Sequence, residues 1–397
     1  MKFSTKIEKC VQSPIRKYLP LEVAAAAAGR KVYHLNIGQP DIETPREFFD
    51  AVRDFKQSVL AYAPSPGIPE YIDAVRGYYA RLGISLEAGD VLATMGGSEA
   101  LQIIMQCILD EGDEILTPEP FYPNYSTFVN VTGGVIRPIP TSAEDGYAYG
   151  DRALIESRIT ERTRAILITN PGNPTGQVLR REEMRMLADV AREHNLFLVA
   201  DEVYREFVYG GEALCSMLEY EDAAENVIVV DSVSKRFSAC GARVGAIVSR
   251  NRAFIAQALK LCQGRLCVAT LDQVGAAALY GVEQSYFAAV REEYRSRRDA
   301  AMAKLIAIPG VMCSRPEGAF YFMVKLPVDS ADKLQRFLLT EFEDRGETVM
   351  FTPGDGFYGT PGKGENEIRL AYVLQKQDLE RAVELLGLGI QAYNNRK

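Results

Sequence analysis

One lysine of this sequence stands where its amine could act as a nucleophile. The apolar run 227–230 predicts a buried strand, and Lys235 follows it closely. Burial lowers the pKa of an ammonium group, and a neutral amine attacks carbonyl carbon atoms. Ser232, Ser234 and Arg243 lie close by in the sequence and could bind an anion. An amine beside an anion site is what a phosphorylated aldehyde cofactor requires, although a surface lysine at a strand end explains this stretch alone equally well.

A second stretch could hold the phosphate of such a cofactor. Gly97, Ser98 and Glu99 follow the predicted strand 91–94 and open a helix. The first N–H groups of a helix have no partner within it and bind anions. An ordinary helix cap by Ser98 explains the same residues, and both readings can hold together.

A buried carboxylate is predicted at Asp201, directly after the apolar run 196–200. A carboxylate buried in this way needs a partner, and a protonated pyridine nitrogen would serve as well as an arginine. Tyr204 and Asn173 could donate hydrogen bonds to a phenolate oxygen on the same ring. Asn173 also fits a simple turn, because it lies in a Pro-Gly-Asn-Pro sequence.

An arginine interrupts the apolar strand predicted around Ile368 to Ala371. Arg369 would be buried there, and a buried arginine usually meets a carboxylate. The sequence leaves open whether that carboxylate belongs to a substrate or to the protein.

The elements that carry these residues alternate between strand and helix from residue 91 to residue 248. This alternation predicts βαβ units and a mostly parallel sheet covered by helices on both faces. Ligands bind beyond the carboxyl ends of such strands, where the polar residues above are expected. The expected fold is therefore an α/β large domain over 46–289, with a smaller α+β domain formed by 1–45 and 290–397.

Composition excludes several classes of function. The net charge of −8 and the pI of about 5.2 argue against a nucleic-acid or membrane partner. Two histidines are too few for a histidine-rich metal site, and no metal is expected. Seven scattered cysteines, with no signal peptide, favour reduced thiols and a cytoplasmic location. The GxGxxG match at 354–359 lacks a following helix, so we interpret it as a flexible loop.

Several short motifs accompany these residues along the chain: 36–41 (NIGQPD), 62–67 (YAPSPG), 96–101 (GGSEAL), 170–176 (NPGNPTG), 201–204 (DEVY), 232–235 (SVSK) and Arg369. No single marker is decisive, but their order and spacing are specific. Together they resemble the class I aminotransferases, in the aspartate aminotransferase-like subgroup of fold-type I pyridoxal-phosphate enzymes. The resemblance covers nearly the whole chain.

The resemblance implies a role for each matching residue. Lys235 would hold pyridoxal 5'-phosphate as an internal aldimine and then act as the general acid and base. Asp201 would pair with the pyridine nitrogen, Asn173 and Tyr204 would bind the ring oxygen, and Arg369, near the Gly38 backbone, would bind the substrate α-carboxylate. The remaining cofactor-binding residues implied are Gly97, Ser98, Glu99, Tyr122, Ser232, Ser234 and Arg243.

The resemblance also implies a homodimer, because Tyr62 would reach the cofactor phosphate of the partner subunit. Two features differ from many members of the family. The chain has no tryptophan, so Tyr122 would have to stack on the ring. Glu99 brings a carboxylate near a phosphate, which requires its side chain to point away. No residue is assigned to a substrate's side-chain carboxylate, for which Arg265 and Arg16 are the candidates.

The expected function is transfer of an amino group from an L-amino acid, with aspartate the best single choice, to a 2-oxo acid such as 2-oxoglutarate by a ping-pong reaction. A β-lyase acting on cysteine S-conjugates, or an aromatic or alanine transaminase, would share the same fold and cofactor residues. A non-catalytic cofactor-binding domain of a regulator is a remote alternative, because no basic helix-turn-helix segment is evident.

Overall fold

A computed structural model describes residues 1–210 and 215–396. Its helices are α1 (Thr5–Glu8), α2 (Leu19–Ala27), α3 (Arg46–Arg53), α4 (Pro69–Arg81), α5 (Gly96–Ile108), α6 (Asn124–Asn130), α7 (Arg152–Glu156), α8 (Arg181–Glu193), α9 (Val233–Arg236), α10 (Arg252–Arg265), α11 (Thr270–Leu279), α12 (Gln284–Leu305), α13 (Ala331–Thr340) and α14 (Lys376–Asn394). Its strands are β1 (Lys31–His34), β2 (Val91–Thr94), β3 (Glu114–Glu119), β4 (Val135–Pro140), β5 (Thr163–Thr169), β6 (Phe197–Asp201), β7 (Val227–Ser232), β8 (Gly245–Val248), β9 (Met312–Cys313), β10 (Tyr321–Lys325), β11 (Glu347–Met350), β12 (Thr352–Pro353) and β13 (Glu367–Ala371).

The central sheet has seven strands in the order β2-β8-β7-β6-β5-β3-β4. Strand β8 runs antiparallel to both of its neighbours, and every other pair with a direct ladder is parallel. The mostly parallel sheet predicted from the sequence is therefore confirmed. The carboxyl ends of β5, β6 and β7 meet at one edge of the sheet, which is where the polar residues of these strands come together.

Helices cover both faces of this sheet because its strands are apolar on both sides. Ile166 and Ile168 of β5 pack in a core with α4, α8 and α11, whereas Ala165 and Leu167 pack in a second core with α5 and α10. Alternate residues of a strand point to opposite faces, so one buried run supplies both cores. The result is a three-layer helix–sheet–helix arrangement.

A third apolar core lies around a four-stranded antiparallel sheet in the order β12-β13-β10-β9. Helices α12, α13 and α14 supply much of this core, through residues such as Tyr294, Leu338 and Val383. Strands β1 and β11 form a separate parallel pair beside it. Arg369 of β13 is thus carried by a different sheet from Lys235 and Asp201.

Some boundaries differ from those that the sequence pattern predicts. The strand predicted over 32–37 ends at His34, the helix predicted over about 100–109 begins at Gly96, and the helix predicted over about 331–345 ends at Thr340. The earlier start of α5 has a local cause, because the Glu99 carboxylate accepts a hydrogen bond from the Met95 N–H at 2.6 Å and completes the first turn. None of the helices within the described residues is long and apolar enough to cross a membrane.

Candidate active site

The predicted residues converge on a cavity of about 530 Å³ at the carboxyl edge of the central sheet. It lies between that sheet and the four-stranded sheet, because side chains of β6, β10 and β13 all reach it. Its lining residues are Ser13, Ile15, Arg16, Ile37, Gly38, Gln39, Gly97, Ser98, Leu101, Tyr122, Asn124, Asn173, Asp201, Val203, Tyr204, Ser232, Ser234, Lys235, Cys240, Arg243, Tyr321 and Arg369.

Lys235 enters the cavity from the four-residue helix α9, which begins directly after β7. Ser232 ends the strand and caps this helix, since its hydroxyl accepts the Ser234 N–H at 3.1 Å. The Lys235 amine donates to the Gly38 carbonyl oxygen at 2.9 Å and lies 3.7 Å from the Cys240 sulfur. Among the described residues no carboxylate forms an ion pair with this amine, so it is available to a ligand.

Asp201 is the last residue of β6 and is buried. Its carboxylate accepts hydrogen bonds from the Tyr125 hydroxyl at 2.7 Å and the Val203 N–H at 3.4 Å, but forms no ion pair within the described part of the chain. Burial raises the pKa of Asp201 from 3.8 to about 6, although both hydrogen bonds and the charge of Lys235 act to lower it. The carboxylate therefore lacks a cationic partner of its own.

An anion-binding corner lies at the start of α5. Gly97 and Ser98 present the first turn of this 13-residue helix to the cavity, and Arg243 lies across from it, donating to the Ser234 hydroxyl at 3.4 Å. Gly96 has a φ of +74°, and a Cβ atom there would lie 2.5 Å from the Arg243 guanidinium. The positive φ favours glycine at this position, and the absence of a side chain leaves room for Arg243. Helix N–H groups, hydroxyls and an arginine together form a phosphate-binding arrangement.

The Glu99 side chain points away from this corner. Besides accepting the Met95 N–H, its carboxylate lies 3.5 Å from the Arg265 guanidinium. Neither Glu99 nor Arg265 lines the cavity. The Glu99 side chain therefore points away from the proposed phosphate position, as the sequence analysis requires, and Arg265 faces Glu99 rather than this cavity.

Arg369 reaches the cavity from β13 and is only 1% exposed. Its guanidinium donates to the Asn36 carbonyl at 2.7 Å and the Asn173 amide oxygen at 3.2 Å, and it packs over the rings of Tyr321 and Phe357. Across residues 1–210 and 215–396 no carboxylate forms an ion pair with it, and its Nε has no hydrogen-bond partner. A buried arginine in this condition is suited to an incoming carboxylate.

A line of hydrogen bonds connects the two sheets across the cavity. The Asn173 amide donates to the Tyr204 hydroxyl at 3.4 Å, and the hydroxyls of Tyr204 and Tyr321 lie 2.9 Å apart. Burial and the neighbouring Tyr321 raise the pKa of Tyr204 well above its ordinary value. Tyr204 therefore remains a neutral hydrogen-bond donor at physiological pH.

Comparison with known proteins decides the family. A family model described as aminotransferase class I and II matches residues 30–386, which is most of the chain. The chain belongs to the class I and II aminotransferases. The resemblance inferred from the motifs is confirmed, and the protein is an aminotransferase with the fold of that family.

Curated relatives and solved structures agree with this assignment. The chain is 32% identical to the aspartate aminotransferase of Bacillus subtilis over 369 residues, covering 90% of this chain and 91% of that protein. A probable aspartate/prephenate aminotransferase of Aquifex aeolicus is 32% identical, with 90% of each covered. A mutant of Thermus thermophilus aspartate aminotransferase has a TM-score of 0.89, at 29% identity over 98% of this chain and 100% of that one. An alanine aminotransferase from Pyrococcus furiosus has the same TM-score, identity and coverage.

In this aminotransferase most of the sequence-predicted site residues line the one cavity. They are Gly38, Gly97, Ser98, Tyr122, Asn173, Asp201, Tyr204, Ser232, Ser234, Lys235, Arg243 and Arg369. Glu99 contributes only through the start of α5. Tyr62 lies outside the cavity and is 81% exposed, so its predicted contact with a partner subunit's cofactor stays a prediction.

Sequence reasoning assigned no role to several residues of the cavity or its wall, and three of these contact predicted site residues. Tyr125 binds Asp201 from helix α6, Tyr321 binds Tyr204 from β10, and Cys240 lies beside Lys235. Tyr125 lies inside helix α6 and Tyr321 begins a strand of the other sheet, so a search at the strand ends of the central sheet does not reach them. Gly38 does lie in a recognised motif, and a Cβ atom there would overlap the Tyr321 hydroxyl.

The raised pKa of Asp201 predicts a pH-dependent effect of its replacement. Between pH 4.5 and 7.5 the folded, cofactor-free protein must deprotonate a carboxyl whose pKa is about 6, against 3.8 unfolded. Folding therefore becomes less favourable as pH rises, and Asp201→Asn removes this cost. We expect D201N to gain about 2 kcal/mol in unfolding free energy relative to wild type across this range. Urea unfolding at both pH values measures the gain, and a difference independent of pH would contradict the assignment.

Proposed function

We propose that this aminotransferase transfers the amino group of L-aspartate to 2-oxoglutarate, with pyridoxal 5'-phosphate as its cofactor and Lys235 as its catalytic lysine. One observation carries the proposal. Lys235, Asp201 and Arg369 line a single cavity, and neither Asp201 nor Arg369 has an ion-pair partner among the described residues. Their charges are thus left for a ligand that brings a cation to Asp201 and a carboxylate to Arg369.

The cavity residues fit pyridoxal phosphate group by group. The buried Asp201 carboxylate lacks the cation that a protonated ring nitrogen would supply. The start of α5, with Ser232, Ser234 and Arg243, would hold the phosphate. Asn173 and Tyr204 would donate to the ring oxygen, and Tyr122 would stack against the ring. When bound, the cofactor supplies an aldehyde that links reversibly to amines and a ring that withdraws electrons from the substrate α-carbon.

The chain's own residues would orient the substrate and move its protons. Arg369 would hold the α-carboxylate through paired hydrogen bonds, which fixes the orientation of the α-carbon. The Lys235 amine would first take the proton from the substrate α-carbon as a base. It would then donate a proton as an acid to complete the exchange of the amino group. Its hydrogen bond to the Gly38 carbonyl holds the amine at this position. Tyr204, kept neutral by burial, would serve the reaction as a donor rather than as a base.

We propose that the protein forms a homodimer with shared active sites. An exposed apolar run, Val59, Leu60 and Tyr62, lies at the surface and would be buried in a homodimer, with Tyr62 reaching the partner's cofactor phosphate.

We also propose a large domain over 46–289 and a small domain formed by 1–45 and 290–397. The separate apolar cores around the two sheets support this division.

The choice of aspartate as substrate is supported by the relatives that are named aspartate aminotransferases. An assay of several amino acids tests this choice. The purified holoenzyme is given aspartate, alanine or tyrosine with 2-oxoglutarate, and the 2-oxo acid product is measured. We expect kcat/KM to be highest for aspartate. Higher values for alanine or tyrosine would identify a different transaminase, and release of pyruvate and ammonia from a cysteine S-conjugate without a 2-oxo acid would identify a β-lyase.

A further inference from the structure

The loop between β12 and β13 packs against the arginine proposed for the substrate α-carboxylate. This loop contains the GxGxxG match at 354–359, which lines no part of the cavity. Phe357 of the loop is fully buried, and its ring centre lies 5.1 Å from the guanidinium carbon of Arg369. Because no carboxylate of the described chain forms an ion pair with Arg369, the packed rings and two neutral acceptors set the orientation of its guanidinium.

Strand β13 holds one side of this loop. The Tyr358 hydroxyl donates to the Glu367 carboxylate at 2.6 Å, and Glu367 lies two residues before Arg369 in the strand. Gly354 allows a close approach, because a Cβ atom there would lie 2.8 Å from Glu367. The Gly354 N–H also donates to the Glu367 carbonyl oxygen at 2.7 Å. These contacts are local, since all of them lie within or beside the four-stranded sheet.

Glu119 holds the other side of the loop to the central sheet. It is the last residue of β3 and only 1% exposed. Its carboxylate accepts hydrogen bonds from the Gly359 N–H at 3.1 Å and from the N–H and hydroxyl of Thr360 at 3.0 and 2.8 Å. The Lys363 ammonium lies 3.3 Å from the same carboxylate. One buried carboxylate thus receives four contacts from a loop whose residues Gly359 and Thr360 are exposed.

The same segment of the central sheet also reaches the buried ring. The Phe121 N–H, two residues after Glu119, donates to the Phe357 carbonyl oxygen at 2.8 Å. Phe357 is therefore held between the carboxyl end of β3 and Arg369. Neither Glu119 nor Phe357 lines the cavity, so an influence on an α-carboxylate would pass through the Arg369 guanidinium.

We propose that Glu119 is a positioning residue for substrate binding. By holding the loop to the central sheet, it keeps the Phe357 ring against Arg369 and fixes the guanidinium in the orientation that an α-carboxylate needs. This inference rests on the proposed function, because that function assigns Arg369 to the α-carboxylate. A small displacement of a group that orients the substrate costs much of its contribution, so loss of the Glu119 contacts should weaken carboxylate binding.

Glu119→Gln removes the charge that the loop N–H groups and Lys363 face. Because the Lys363 side chain is 37% exposed, water can solvate its ammonium in the variant, and no buried charge loses its partner. Calorimetric titration of the holoenzyme with butyrate, a carboxylate without an amine, measures binding at Arg369 apart from turnover. E119Q should bind butyrate about 3- to 30-fold more weakly and keep its affinity for pyridoxal phosphate within about threefold. Lys363→Gln should have a smaller effect in the same direction.

Glu114 provides a matched control at the other end of the same strand. It is the first residue of β3, accepts the Thr160 hydroxyl at 2.7 Å and lies 3.6 Å from the Arg137 guanidinium. Glu114→Gln therefore removes similar contacts away from the cavity, and should leave butyrate affinity within about twofold of wild type. An E119Q variant that weakens butyrate no more than E114Q does, or weakens butyrate and pyridoxal phosphate equally, would overturn the proposal.

Replacement of Arg369 separates the role of Glu119 from the proposed function. R369Q should lose butyrate affinity, and adding E119Q to it should cause no further loss, because both changes act on one guanidinium. In steady-state assays E119Q should raise KM for aspartate and alanine alike and keep kcat within about threefold of wild type. Loss of butyrate affinity in R369Q but not in E119Q would overturn the role of Glu119 alone. Unchanged butyrate affinity in R369Q would instead show that the proposed function has the wrong carboxylate site, and the inference would fall with it.

Discussion

Replacing Lys235 with alanine is expected to lower the rate of transamination about 10⁴-fold. Within residues 1–210 and 215–396 no other lysine lines the cavity, and in the proposed function the loss of this amine removes both the attachment point for the cofactor and the base for the α-proton. Arg369 and Asp201 remain in the variant, so binding of amino acids should persist. Steady-state assays of K235A with aspartate and 2-oxoglutarate measure the loss.

Rescue by an added amine distinguishes this chemical role from a structural one. Methylamine is small enough to enter the space that K235A leaves and supplies the missing base, so it should restore part of the rate. A surface variant, Lys260→Ala, lies outside the cavity and should keep wild-type activity. If K235A keeps its rate within tenfold of wild type, Lys235 is not the catalytic lysine.

Replacing Arg369 with glutamine is expected to lower kcat/KM about 100- to 1,000-fold for every amino acid tested. The change removes a buried guanidinium that binds no protein carboxylate in the described chain, so the loss falls on substrate binding. Arg369→Lys keeps the charge but not the paired hydrogen bonds, and should lie between R369Q and wild type. Kinetics with aspartate and alanine together measure the effect, because the α-carboxylate is common to both.

The melting temperature of the variants separates a role of Arg369 in substrate binding from a role in holding the fold together. R369Q removes the hydrogen bonds to the Asn36 carbonyl and the Asn173 amide oxygen but breaks no ion pair among the described residues, so the melting temperature of the cofactor-free protein should fall less than in a variant that breaks one. Arg297 is just as buried but binds Asp41 at 2.6 Å and Glu293 at 2.8 Å, so Arg297→Gln should lower it. A loss of stability in R369Q as large as that in R297Q, with kcat/KM unchanged, would show that Arg369 supports the fold rather than substrate binding.

The sequence was most informative where a strand ends. Lys235, Asp201 and Asn173 could be placed near one another because parallel strands present their carboxyl ends at the same edge. The apolar runs before them also predicted the sheet itself, since a strand buried on both faces has no polar alternation. Arg369 was recognised as unusual by its charge within an apolar strand, but its partner could not be assigned from the sequence.

The remaining residues could not be predicted because their positions depend on packing between distant elements. Tyr321 meets Tyr204 across 117 residues of sequence, and Tyr125 meets Asp201 across 76. The choice between Arg16 and Arg265 was open for the same reason. The structure places Arg265 against Glu99 and Arg16 at the cavity, which the sequence alone could not show.

The visible spectrum of the purified protein with pyridoxal phosphate tests the central claim most directly. We expect wild type to show the absorption band of the lysine-bound cofactor, to lose it when L-aspartate is added alone, and to regain it when 2-oxoglutarate follows. K235A should show no such band. A band that ignores aspartate but responds to another amino acid would contradict the substrate assignment. A wild-type protein that never binds the cofactor would contradict the site built around Lys235.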